Sequence, residues 1–132
     1  MKTKTQDHDL EYYMGKLKPQ YESKGQAEIG HMLDEYHIPF FYENPILVWE
    51  HGERRIKRPD FTLPTYNNMV IEYTPVPDET AKQDNSIYRE NNIAALFLKD
   101  SDLAAPNWQQ QLYDKLEEIY HGPHAYLGDR DS

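Results

Sequence analysis

The sequence predicts an α/β domain, a mixed β-sheet flanked by helices in the order α-β-β-β-β-α-β-α. Three observations carry that prediction. Ile29, Met32, Leu33 and Tyr36 recur at helical spacing ahead of several short segments rich in β-formers. The stretch Ile93-Ala-Ala-Leu-Phe-Leu98 is continuously apolar, as expected of a central strand covered on both faces. A helical segment separates that run from the β-rich segment 69–74, so the two strands should pair in parallel through a right-handed crossover.

Each element has a local reason. Residues 1–19 are polar and mixed in charge and read as an arm, or as a loosely packed helix around Leu10, Tyr13 and Leu17. A single folded domain is expected over 20–121, followed by a fraying tail at 122–132. Ser23 suits an N-cap, with Gln26 three residues on as its capping-box partner. The helix should end near His37, before Pro39. Residues 40–43 read as a short strand, and 46–51 with 55–63 as a hairpin turning at Gly52-Glu53. Asn67-Asn68 turns the chain into the strand 69–74, which Pro75 and Pro77 end. Asp78 can then cap a helix running to about Asn91, and Pro106 suits the first turn of a last helix. The stripe Trp108, Leu112, Leu116 and Ile119 on that helix reads as core packing.

Composition narrows function. With 132 residues the chain can bury one real core. The absence of cysteine excludes a disulfide framework, a thiolate zinc site and a thiol nucleophile. No apolar run reaches the ~18 residues that would span a bilayer, and the polar start has no signal-peptide pattern, so the expectation is a soluble cytoplasmic protein without membrane contact. Fourteen Lys and Arg stand against 23 Asp and Glu, a net charge of −9, which argues against indiscriminate nucleic-acid binding. The imbalance is uneven. Residues 20–53 hold seven acids and one base, 100–132 hold seven acids and two bases, and 54–58 is basic. Any nucleic-acid surface is thereby narrowed to the hairpin cluster Arg54, Arg55, Lys57 and Arg58, joined by lysines such as Lys24. The same cluster also reads as an exposed strand kept soluble by charge.

The most informative stretch is Arg58-Pro59-Asp60-Phe61 with Ile71-Glu72-Tyr73, which places Glu72 twelve residues after Asp60. Both acids sit in strand-like contexts, where an unpaired carboxylate is costly. Ile56, Arg58 and Asp60 alternate along one predicted strand and would share a face. Two convergent carboxylates call for a cation, and Mg²⁺ or Mn²⁺ is the hard, oxygen-liganded choice. The competing reading is an ion pair with Arg58 or Arg55.

At these residues the chain resembles the PD-(D/E)xK nuclease superfamily, in particular its small very-short-patch-repair-like and restriction-endonuclease-like members. The resemblance spans roughly 21–98 and rests on Ser23-Lys24-Gly25-Gln26-Ala27-Glu28-Ile29, Tyr42-Glu43, Arg-Pro-Asp-Phe with Leu63-Pro64, Ile71-Glu72-Tyr73 and Tyr88-Arg-Glu-Asn-Asn-Ile93. It implies a restriction-endonuclease-like sheet. It also implies a metal held by Asp60, Glu72 and the main-chain carbonyl of Tyr73, with water activated for in-line attack on a DNA phosphodiester. Two departures follow. The family lysine two residues after the Glu is Thr74 here, and Lys82 on the next helix, with Lys24 behind it, is the candidate for a migrated lysine. The metal-supporting Glu of the first helix aligns with Gln26, while charge chemistry favours Glu28, and both remain open. The resemblance further implies a homodimer or a partner DNA-processing subunit.

The sequence therefore supports a Mg²⁺-dependent nuclease acting on DNA, including branched or nicked forms, with a catalytically degenerate DNA-docking or protein-interaction module as the alternative. Trp49 reads first as packing and second as a base-stacking residue. None of the six histidines forms a zinc-ligand pair on a helix; His31 and His51 are minor candidates for phosphate contact or general-base work.

Overall fold

The computed structural model describes residues 19–75 and 79–122. The predicted arm (apart from Pro19), the Asp78 cap and the tail beyond Gly122 lie outside the described residues. Helix α1 runs over Lys24–Glu35, followed by strands β1 (Phe41–Tyr42), β2 (Ile46–Glu50), β3 (Glu53–Lys57), β4 (Phe61–Leu63) and β5 (Met69–Tyr73). Helix α2 (Glu79–Glu90), strand β6 (Ala95–Leu98) and helices α3 (Asp100–Leu103) and α4 (Trp108–His121) complete the order. The architecture is mixed α/β.

Four strands form one sheet in the order β1-β4-β5-β6. The β1–β4 and β4–β5 pairs are antiparallel, and β5–β6 is parallel, as the crossover through α2 requires. The hairpin β2–β3 is a separate two-stranded sheet. This corrects the single strand expected over 55–63. The chain leaves β3 at Lys57, passes the buried Pro59, whose nitrogen has no N–H to give a ladder, and enters β4 in the other sheet. Ile56, Arg58 and Asp60 therefore do not share a strand face. The hairpin turns at His51-Gly52, with Glu50 and Glu53 paired; the φ values of +54° and +80° are those a two-residue primed turn needs. Asn67 and Asn68 are both left-handed, at φ 60° and 59°, and lead into β5.

The apolar run 93–98 is a second correction. Strand β6 lies at the sheet's edge and its four residues are only partly buried. The central strands are β4 and β5, in which Phe61, Leu63, Val70 and Ile71 are fully buried. Apolarity in β6 serves two packed faces, yet among the described residues no further strand closes its outer edge.

Helices α1 and α4 cover one face. Ile29, Met32 and Leu33 of α1 and Trp108, Leu112 and Leu116 of α4 join Phe61, Leu63, Met69 and Ile71 in one apolar cluster. Helix α1 lies close enough that a Cβ on Gly25 would come within 2.2 Å of the Tyr73 ring. Ser23 caps α1 by accepting from the Gln26 N–H at 3.1 Å, but the Gln26 side chain reaches past the cap. The opposite face carries α2, with Ile87 and Tyr88 buried, and the hairpin, whose Val48 is fully buried. Asn91, just beyond α2, accepts from the Trp49 N–H at 2.8 Å and donates to the Trp49 carbonyl at 2.9 Å, tying β2 to that helix.

Candidate metal and phosphate site

Asp60 stands at the entrance to β4 and Glu72 in β5, and the β4–β5 register brings the two together. The Asp60 N–H donates to Glu72 Oε1 at 2.9 Å, and the Tyr73 N–H donates to Asp60 Oδ2 at 2.7 Å. The N–H and C=O of one strand residue leave on the same side of the strand, so the Tyr73 carbonyl is directed to the β4 side, where Asp60 lies. Gln26 comes in from α1 and donates from Nε2 to Asp60 Oδ1 at 3.0 Å. Its Oε1 accepts from the Tyr42 hydroxyl at 2.9 Å and from the Glu22 N–H at 3.1 Å, which sets the orientation of the amide. From the other layer, the Tyr88 hydroxyl donates to Glu72 Oε2 at 2.5 Å. Each of the four carboxylate oxygens thus has one protein donor and retains lone-pair capacity for a cation.

Electrostatics follow from burial. Desolvation raises the pKa of Asp60, the Tyr73 and Gln26 donors hold it back, and the charge of Glu22 adds to the rise. Desolvation also raises Glu72 against the Tyr88 and Asp60 donors, with Asp60 and Asp84 adding like-charge repulsion. The Tyr88 phenol is raised by burial and by Glu72, so it stays a proton donor. Lys57 pairs with Asp84, and its Nζ is 5.9 Å from the centroid of the Tyr88 ring, which puts a half-buried ammonium next to the group that holds Glu72.

The other sequence-identified residues distribute as follows. Gln26, and not Glu28, touches Asp60; Glu28 adds its charge to the Tyr73 phenol, which its bond to Asp100 and burial push up to about 12. Thr74 follows Glu72 by two residues on the same strand side, and its N–H donates to the Leu98 carbonyl at 2.9 Å. Lys82 is exposed on α2. It precedes Asp84 by two residues, about 200° around a helix, so it emerges away from the side that presents Asp84 and Tyr88. Lys24 is exposed at the start of α1. Arg54, Arg55 and Arg58 are exposed; Arg55 pairs with Glu53 at 2.9 Å, and Arg54 lies over the Trp49 ring at 5.6 Å. The ion pair between Asp60 or Glu72 and Arg55 or Arg58 does not form. His31 and His51 are exposed and outside the cluster.

Tyr42 and Tyr88 stand in segments that carry the resemblance, but the sequence did not show them as donors in the site. A tyrosine on the buried side of α2 needs a partner for its hydroxyl, and a lone Glu inside β5 needs a donor; the two requirements meet. Lys57 was read as a phosphate contact, not as a neighbour of Tyr88.

Among the described residues no group of three or more His, Cys, Asp and Glu could hold a metal ion, so any cation here would rest on two carboxylates, a carbonyl and outside ligands. Among the described residues no helix is long and apolar enough to cross a membrane. A cavity of about 420 Å³ beside β6 includes Leu98, Trp108 and Lys115 but none of Asp60, Glu72 or Gln26. Comparison with family models, curated proteins and solved structures finds no match.

Proposed function

We propose that this chain is a restriction-endonuclease-like, Mg²⁺- or Mn²⁺-dependent nuclease that hydrolyses DNA phosphodiesters. The observation that carries the reading is the joining of Asp60 and Glu72 by the 2.9 Å bond from the Asp60 N–H to Glu72 Oε1, with the Tyr73 main chain and Gln26 on the same cluster. The sheet order β1-β4-β5-β6 with its parallel last pair supports the fold part of the reading.

The donor set fits the ion. Two desolvated carboxylates with raised pKa values gain from a nearby cation, and Mg²⁺ characteristically takes one or two carboxylates and keeps water or substrate phosphate as its remaining ligands. Asp60, Glu72 and the Tyr73 carbonyl would hold it. When bound, such a cation supplies Lewis-acid activation of water and offsets the charge that builds on the phosphoryl oxygens. The chain's residues do the positioning. Gln26 and the Tyr73 N–H fix the Asp60 carboxylate and Tyr88 fixes Glu72, while Lys57, paired with Asp84, stands beside the Tyr88 ring. Arg54 and Arg58 would contact the phosphates flanking the scissile bond.

A second reading has its own observation. Thr74 stands where the resemblance places a lysine, and every carboxylate oxygen already has a protein donor. A degenerate module that binds DNA or a protein partner without cutting is compatible with both facts. Nicking of supercoiled and branched DNA in Mn²⁺, with EDTA as the control, separates the two. Metal-dependent nicking that falls by at least about a hundredfold in Asp60→Ala and Glu72→Ala is expected of the nuclease. Binding without nicking in any divalent ion establishes the module instead.

A further inference from the structure

The hairpin turns one face to α2 and the other to solvent. On the solvent face Leu47 pairs with Ile56 and Trp49 with Arg54, and these apolar side chains are 53%, 61% and 54% exposed for Leu47, Ile56 and Trp49. Solvent exposure on this scale is unusual for Trp in a domain that buries its other Trp, Trp108, at 8%. The two Asn91 bonds take up the Trp49 N–H and C=O on the outer edge of β2, so Trp49–Arg54 is a non-hydrogen-bonded pair, the type that brings facing side chains closest. The Arg54 guanidinium lies 5.6 Å from the Trp49 ring centroid. An indole braced by its backbone and flanked by a guanidinium is a flat cationic platform.

We propose that this face, with Trp49 at its centre and Arg54 beside it, docks the unpaired bases of single-stranded DNA. Stacking on an aromatic ring needs a base free of its duplex, and the guanidinium groups suit the accompanying phosphates. Charge selects the place: of the four cations at 54–58, Lys57 pairs with Asp84 and Arg55 with Glu53, which leaves Arg54 on this face and Arg58 just past the hairpin to meet phosphate in a chain of net charge −9. Position agrees as well. Strand β3 ends at Lys57, three residues before Asp60, a span of at most ~11 Å of extended chain, so a strand stacked here would pass close to the acidic pair. A second copy of the chain is a poorer occupant. Three apolar side chains fall far short of the roughly 20–30 residues per side of a stable interface, Arg54 would confront its own copy near a twofold axis, and Asn91 already occupies the β2 edge at Trp49.

The proposal deepens the nuclease reading by naming an unpaired strand as the substrate feature recognised, and the test keeps the two separable. Fluorescence anisotropy of a labelled 12-nucleotide oligo-dT, titrated with the intact protein in EDTA at low salt, reads binding without cleavage. Trp49→Ala and Arg54→Ala should each weaken binding by about tenfold, whereas Lys115→Ala, on α4 across the sheet from the hairpin, should leave it unchanged. Circular dichroism and sedimentation of the same variants check that the hairpin remains folded and the chain monomeric. Failure of wild type to bind, equal binding by Trp49→Ala, or a wild-type dimer that Trp49→Ala dissolves would each overturn the proposal. Binding through Trp49 by a protein that never nicks DNA keeps the platform and removes the nuclease; nicking that is indifferent to Trp49 does the reverse.

Discussion

Glu72 is a carboxylate inside a central strand, and its ionised form is held by only two protein donors, the Asp60 N–H and the Tyr88 hydroxyl. Burial raises the folded pKa of both Glu72 and Asp60, so the native chain keeps protons that the unfolded chain has already released. With more protons bound natively, the contribution of these two groups to stability is greatest below the ordinary carboxylate pKa of about 4. It declines as pH rises from there through their raised values. Glu72→Gln removes most of that decline. Its carbonyl can still accept from Asp60 and its amide can donate to the Tyr88 oxygen, so the variant should be more stable than wild type at pH 7 and less dependent on pH in urea unfolding, while losing activity. Wild-type-like pH dependence in Glu72→Gln would show that the burial of Glu72 is not the cause. Thr62 gives a simpler case at this scale. Its hydroxyl is buried with no hydrogen-bond partner, so Thr62→Val should stabilise by roughly 1 kcal/mol in the same assay.

The hairpin is the element on which sequence and structure diverge most instructively. Residues 55–63 read as one strand with Ile56, Arg58 and Asp60 alternating onto one face, yet the chain divides at Pro59 between two sheets. Alternation reports that a segment is extended; it does not report which sheet the segment joins, because the choice of partner is a tertiary matter. The β6 run misled for a related reason: apolarity on both faces marks helix cover, and says nothing of whether another strand lies alongside. Helices α1 and α4 were legible from their apolar stripes, and Ser23 marks the start of α1; Pro106 stands before the Asn107 cap of α4 and not, as the sequence had suggested, in its first turn. The fork of the Asn91 amide on the Trp49 main chain is one of three ties that hold the hairpin on the body, with the buried Val48 and the Lys57–Asp84 ion pair. Asn91→Ala should cost about 1–3 kcal/mol and should raise amide exchange over 46–57 more than over β4 and β5. Uniform exchange across both sheets would show that the hairpin does not depend on the fork.

Over the whole molecule, two of the 23 acids behind the net charge of −9 converge in one site, and the fold resolves the tension by separation. The acids meet where β4 and β5 pair, while the exposed Arg54 and Arg55 lie on a hairpin outside the main sheet. Asp60 and Glu72 were legible as a pair because a charged residue in a strand demands a partner. Gln26 was legible as one of two choices, and its 3.0 Å bond to Asp60 is something periodicity had no means to settle against Glu28, since both flank the apolar stripe of α1 at similar angles. Tyr88 and Lys57 were not legible in these positions, because their contacts join elements that the sequence brings together only through the complete fold. Mn²⁺ titration followed by electron paramagnetic resonance reads whether Asp60 and Glu72 hold a divalent cation. Wild type should show one saturable Mn²⁺ site that tightens when a DNA oligonucleotide supplies phosphate oxygens, and Glu72→Gln should lose it. Equal Mn²⁺ binding by wild type and Glu72→Gln, or no bound Mn²⁺ in wild type with the oligonucleotide present, would contradict the account.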